Sequence, residues 1–95
     1  MDDLSKVASA PDRNNLTKAG RALQKHGDRA GSAYPQVKGG PKKLNPAGQD
    51  VVDDILTTPG STTKPNRLGG VDVKALDGRA VRYDADGNFV GLREP

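Results

Sequence analysis

Val71-Asp-Val-Lys-Ala-Leu-Asp-Gly-Arg-Ala-Val-Arg-Tyr-Asp-Ala-Asp-Gly-Asn-Phe-Val-Gly-Leu92 holds two Asp-Gly pairs, Asp77-Gly78 and Asp86-Gly87, each set between short runs of β-formers. That pattern predicts consecutive hairpins, hence an antiparallel meander. If residues 76–78 and 85–87 are three-residue loops with Gly in the left-handed position, Ala75 faces Arg79 and Asp84 faces Asn88. Val71, Val73, Ala75, Val81, Tyr83 and Phe89 then share one side, the expected core face. Asp72, Lys74, Arg82, Asp84 and Asn88 take the other side, beside Ala80, Val90 and Leu92. A two-residue turn at Asp77-Gly78 would put Val73 beside Arg82 and mix charge into the apolar side, so the longer loops are preferred.

Upstream of this stretch, part of residues 61–70 is expected to form a first, edge strand, the one kind of strand that tolerates Pro65. Before it, Asn45-Pro46 reads as a helix start, with Asn as cap and Pro in the first turn. Ala47, Val51, Val52, Ile55 and Leu56 make an apolar stripe opposed by Gln49, Asp50, Asp53 and Asp54, which read as a solvated face. A second helical pattern covers residues 16–27. Thr17 caps its start, Gly27 is expected to end it in the left-handed conformation, and Ala19, Leu23 and His26 fall on one face. Residues 28–43 read as a long Gly/Pro/basic loop anchored by Tyr34 and Val37. Residues 1–15 show little periodicity and are expected to be a linker or disordered tail, leaving 16–95 as the domain. The order of elements predicts an α+β fold, two N-terminal helices packed on a three- to four-stranded antiparallel sheet.

The totals narrow the function. Ninety-five residues with 33% apolar content, one Phe, two Tyr, no Trp and 19 Gly plus Pro allow one small, loop-rich domain with a thin core. The absence of Cys excludes disulfides and thiolate metal sites, and a lone His excludes multi-histidine motifs, so no metal or cofactor is expected. No apolar run is long enough to span a bilayer. The net charge is +3, but Lys and Arg are concentrated between residues 13 and 43, where Asp28 is the only acid. A basic half of this kind favours a polyanion or an acidic protein as partner.

These residue types suffice for RNA cleavage without a metal. A base takes the ribose 2′-hydroxyl proton, the oxygen attacks the adjacent phosphorus, and cations stabilise the charge that builds up there. His26 is the natural acid or base. Arg29 and Ser32 follow it closely enough to reach the same phosphate. Arg82 lies on the non-core side of the sheet and is preferred over Arg79. Lys25, Lys38, Lys42, Lys43, Arg67 and Lys74 complete the expected RNA-binding set, and Tyr83 is assigned to the core. The alternative is a non-catalytic RNA-binding or protein-interaction module, although the absence of paired exposed aromatics weighs against a base-stacking sheet platform.

Residues 16–27, Arg29-Ala-Gly-Ser32, Asn45-Pro-Ala-Gly-Gln49, Ile55-Leu-Thr-Thr-Pro59, Asp77-Gly-Arg-Ala-Val-Arg-Tyr-Asp84 and the ending Gly87-Asn-Phe-Val-Gly-Leu-Arg-Glu-Pro95 together resemble bacterial polymorphic-toxin tips. These are the C-terminal domains of contact-dependent growth inhibition (CdiA-type) proteins. The resemblance implies a ribonuclease fold of the barnase, colicin-nuclease and RelE type, with endoribonuclease activity, tRNA being the favoured substrate. It further implies a cognate immunity protein, expected here to be acidic, and a monomer or 1:1 complex with it. Delivery as the C-terminal part of a larger secreted or cell-surface protein, with action in the target-cell cytoplasm, follows from the same resemblance. Ala80 and Leu92-Arg93 depart from the usual pattern of such sequences.

Overall fold

In the computed structural model, which describes residues 2–95, each element follows from local signals that can be named. Four strands, β1 (Thr62–Pro65), β2 (Val71–Lys74), β3 (Ala80–Tyr83) and β4 (Phe89–Arg93), form an antiparallel sheet in sequence order. The two Asp-Gly loops close as expected. The Ala75 N–H donates to the Arg79 carbonyl at 2.8 Å and the Asp84 N–H to the Asn88 carbonyl at 3.0 Å, with Gly78 and Gly87 at φ 95° and 83°. β1 is an edge strand, and Pro65 sits at its end.

The register departs from expectation in β4. Tyr83 pairs with Phe89, yet Arg82 pairs with Gly91, so Val90 is an extra, bulged residue. The bulge shifts the alternation by one. Val90 is left exposed and Leu92, expected on the outer side, turns into the core at 3% exposure. Phe89 then packs edge-on against Tyr83, with ring centroids 5.7 Å apart.

Three helices cover the inner face: α1 (Asp2–Ala8), α2 (Lys18–Gly27) and α3 (Pro41–Thr57). Leu23, Val52, Ile55 and Leu56 from the helices meet Val73, Val81, Tyr83, Phe89 and Leu92 from the sheet. Thr17 caps α2 through a bond from the Gly20 N–H, and Ala19, Leu23 and His26 are its buried face, both as expected. Gly27 does not end it in the left-handed region. The C-cap is Asp28, in a right-handed conformation, and Gly27 is small because a Cβ there would run into the Pro35 carbonyl.

α3 begins five residues earlier than the Asn45-Pro46 signal predicted. Gly40 and Pro41 start it, and Pro46 lies inside it. Asn45 does cap a helix, but a different one. Its Oδ1 accepts the Thr17 N–H at 2.8 Å and its Nδ2 donates to the Asn15 carbonyl at 3.0 Å, tying down the entry to α2. The two helices approach closely because Gly20 faces Asn45 and Gly48 faces the Ala19–Gly20 backbone. Replacing Gly48 with Leu is therefore expected to lower stability by about 3 kcal/mol, measured by urea unfolding.

The expected tail also contains structure. Leu4, Val7 and Ala8, at helical spacing, put α1 against the core, where Ala8 is fully buried. The Tyr83 hydroxyl donates to the Leu4 carbonyl at 2.8 Å, the Ser5 hydroxyl bonds Asp53, and the Gln49 side chain donates to the Ser5 carbonyl at 2.9 Å. A seven-residue helix of such polar composition is stable only through these tertiary contacts.

Candidate active site

α2 packs against β4, and between them opens a cleft of about 610 Å³ that extends to Arg82 on β3. Its walls carry Lys18, Arg21, Lys25, His26 and Arg29 on one side and Arg82, Arg93 and Glu94 on the other. Six cations thus face two acids, Asp12 and Glu94. Arg21 leans on Asp12 at 3.4 Å, whereas Lys18, Lys25, Arg29 and Arg93 make no ion pair among the described residues.

His26 is placed here by helical spacing. One face of α2 must bury Ala19 and Leu23, and the same face, a turn later, sets the imidazole at the rim of the core with 8% exposure. Its ring meets Tyr34 edge-on at 5.4 Å. Nδ1 lies 2.8 Å from Glu94 Oε2. That carboxylate also accepts the Ser32 hydroxyl at 2.7 Å and the Ala33 N–H at 2.9 Å. Burial alone would push the Glu94 carboxyl up, but the donors from Ala33, Ser32 and His26 outweigh it and bring its pKa down to about 2. An ionised carboxylate only accepts, so Nδ1 carries the proton. Nε2 is not sealed off, since the only buried side-chain polar atom without a partner among the described residues is Gln49 Oε1.

Glu94 escaped the sequence reading. It is the penultimate residue and lies outside every periodic pattern, so only the fold brings it to His26. Ser32 was expected to touch phosphate. Its hydroxyl instead donates to Glu94 and accepts the Tyr34 N–H at 3.1 Å, which leaves it no proton for a substrate. The Tyr34 hydroxyl donates to the Arg93 carbonyl at 2.7 Å, and burial pushes its pKa up to about 12, so it stays neutral. Together these bonds tie the loop after α2 to the end of β4.

The other expected residues divide. Lys25, Arg29 and Arg82 line the cleft with His26. Arg82 is held by Asp72 through two bonds of 2.9 Å, which hold the Asp72 carboxyl below its usual range. Lys38 lies in the loop before α3, Lys42 and Lys43 in the first turn of α3, Arg67 in the β1–β2 turn and Lys74 at the end of β2; all are exposed and none lines the cleft. The Lys42 and Lys43 placement follows from the early start of α3. Arg79 bonds Asp54 at 2.6 Å and Asp77 at 2.8 Å, away from the cleft.

The depressed pKa of Glu94 has a consequence for stability. Because the folded value lies below the ordinary 4.5, the contribution is complete above pH 4.5 and is lost as the pH falls toward 2. Unfolding of the wild type and Glu94→Gln should differ by roughly 1 kcal/mol at pH 6, a value reduced by solvent screening, and the difference should shrink below pH 4.5 and be lost as the pH falls through about 2.

Fold and cleft together define a class: a small α+β domain with one imidazole–carboxylate pair at the wall of a cationic cleft. Within that class, the chain belongs to the CdiA C-terminal tRNase toxin domain family, whose pattern matches residues 5–94. As a member it is an endoribonuclease domain of the tRNA-cleaving kind. The chain is similar to the crystal structure of the toxic C-terminal tip of CdiA from Pseudomonas aeruginosa in complex with an immune protein, with 30% identity and a TM-score of 0.75. The match covers 94% of this chain and 99% of that one. No curated protein matches the chain.

Proposed function

We propose that this domain cleaves tRNA without a metal ion, through attack of a ribose 2′-oxygen on the adjacent phosphorus. The observation that carries the proposal is the His26–Glu94 pair, with Nδ1 held and Nε2 left open, at the wall of a cationic cleft. Nε2 removes the 2′-hydroxyl proton, the O2′–P bond forms, and the P–O5′ bond breaks. The departing 5′-oxygen takes a proton from water in the open cleft, leaving a 2′,3′-cyclic phosphate. Lys25 and Arg29, which have no acidic partner among the described residues, grip the phosphate and stabilise its extra charge in the transition state. Glu94 is a positioning residue: it fixes the imidazole tautomer and favours the imidazolium once the proton has moved.

Two further readings rest on family and charge. The domain is the tip of a larger delivered polypeptide that acts in the cytoplasm of a target cell. A cognate immunity protein with an acidic surface neutralises it by covering the cleft, one copy to one.

Purified domain incubated with tRNA in excess chelator tests the chemistry. Fragments ending in 2′,3′-cyclic phosphate are expected. Cleavage that requires an added divalent ion, or that leaves 3′-hydroxyl ends, would refute the mechanism.

A further inference from the structure

The outer face of the sheet carries a row of residues that the steps above do not use. Lys64, Asp72, Arg82 and Gly91 are cross-strand partners in succession over all four strands. Arg82 is clamped, its Nε and one terminal nitrogen each 2.9 Å from an Asp72 oxygen, so its charge is matched while its flat faces stay fixed. Asn66 extends the frame. Its Nδ2 donates to Asp72 Oδ1 at 2.9 Å, and its Oδ1 accepts the Leu68 N–H at 2.9 Å. The turn that presents Leu68 is therefore tied to the carboxylate that holds Arg82.

The neighbouring surface is apolar and open. Leu68 is 43% exposed, and Val90, pushed out by the bulge, is 51% exposed. Both line the cleft, although the chain is poor in apolar residues. At Gly91, the strand partner of Arg82, a Cβ would meet nothing within 4 Å. A flat cation, two aliphatic edges and a side-chain-sized gap thus adjoin the phosphate-binding cations.

We propose that Arg82, Leu68, Val90 and the gap at Gly91 form a platform for one unpaired nucleobase of the substrate, its ring stacked on the clamped guanidinium. The proposal rests on the ribonuclease reading and deepens it. Phosphates lie on Lys25 and Arg29 while a neighbouring base is splayed onto the sheet, so the segment cut is a loop or an end and not a duplex. A paired base keeps its faces in the helical stack and cannot reach the platform. Exposed aromatics are absent, and the guanidinium supplies the flat face in their place.

Gly91→Val tests this, since Val suits a strand and the space is open. The probe is a labelled, unstructured 2′-O-methyl oligoribonucleotide, which cannot be cleaved, used alone and annealed to its complement. The wild type should bind the single strand more tightly. Gly91→Val should lose on the order of tenfold in single-strand affinity with duplex affinity unchanged. If Gly91→Val does not fold, the uncharged Leu68→Ser in the exposed turn carries the same expectation. A variant that keeps the wild-type preference, or a wild type that binds both forms alike, overturns the platform. Cleavage of tRNA by the wild type is measured alongside. Its absence would count against the ribonuclease reading, whereas cleavage without single-strand preference would count against the platform alone.

Discussion

His26→Ala is expected to lower kcat/KM for tRNA about 10³-fold, within the range that a positioned acid–base group contributes. The size of the effect follows from scarcity. The chain has one histidine, Tyr34 is held neutral by burial, Glu94 is ionised and bonded to Ser32 and Ala33, and Asp12, the other acid of the cleft, is paired with Arg21, so among the groups around the cleft His26 is the one suited to take the 2′-hydroxyl proton at neutral pH. The substitution also removes the edge contact with Tyr34, so far-UV circular dichroism and melting are measured in parallel. A folded variant that cuts at close to the wild-type rate would show that the base is elsewhere.

Glu94→Gln should have the next largest effect, on the order of 10² in kcat with little change in KM. An amide can hold the imidazole through its oxygen, but it can also turn its NH₂ toward Nδ1 and select the wrong tautomer, and it does not stabilise the imidazolium. The pH–rate profile separates this from a structural role. The ring touches Glu94 and Tyr34 and shares its cleft with Lys18, Arg21, Lys25, Arg29, Arg82 and Arg93, and with Asp12, which Arg21 pairs. Removing the carboxylate that touches the ring should move the acidic limb of kcat, where the base must give up its proton, toward lower pH. Glu94→Asp should restore part of the rate, and a Glu94→Gln enzyme with unchanged kcat and profile would remove Glu94 from the mechanism.

How far this could be read from sequence depends on how local each signal is. The Asp-Gly loops specify their own backbone and so set the pairing of β2, β3 and the start of β4. The bulge at Val90 is marked in the sequence only by Gly91 beside it, a weaker signal than an Asp-Gly pair, and it alone moved Leu92 to the core. Helical spacing put His26 beside Leu23 on the buried face of α2. The same kind of reasoning failed at Asn45-Pro46, because a cap for one helix, embedded in another, resembles a cap for its own. α1 was missed for a related reason: its three apolar positions mean little until Tyr83, Gln49 and Asp53 are there to meet it.

The site divided in the same way. Lys25, His26 and Arg29 lie within a turn of one another on the chain, and the fold kept them together. Lys38, Lys42 and Lys43 were grouped by charge in what looked like a single loop, and the early start of α3 carried two of them onto a helix. Glu94 approaches His26 from 68 residues away, a relation that only tertiary structure creates. Ser32 was found for its hydroxyl, and that hydroxyl serves Glu94.

Because the chain has a single imidazole, a ¹⁵N long-range correlation spectrum reports on it without ambiguity. At a pH where the ring is neutral, the expected result is a proton on Nδ1, bonded to Glu94, and an Nε2 resonance that shifts when a 2′-O-methyl oligoribonucleotide is added. A neutral ring protonated on Nε2, or an Nε2 signal that ignores the nucleotide, would contradict it.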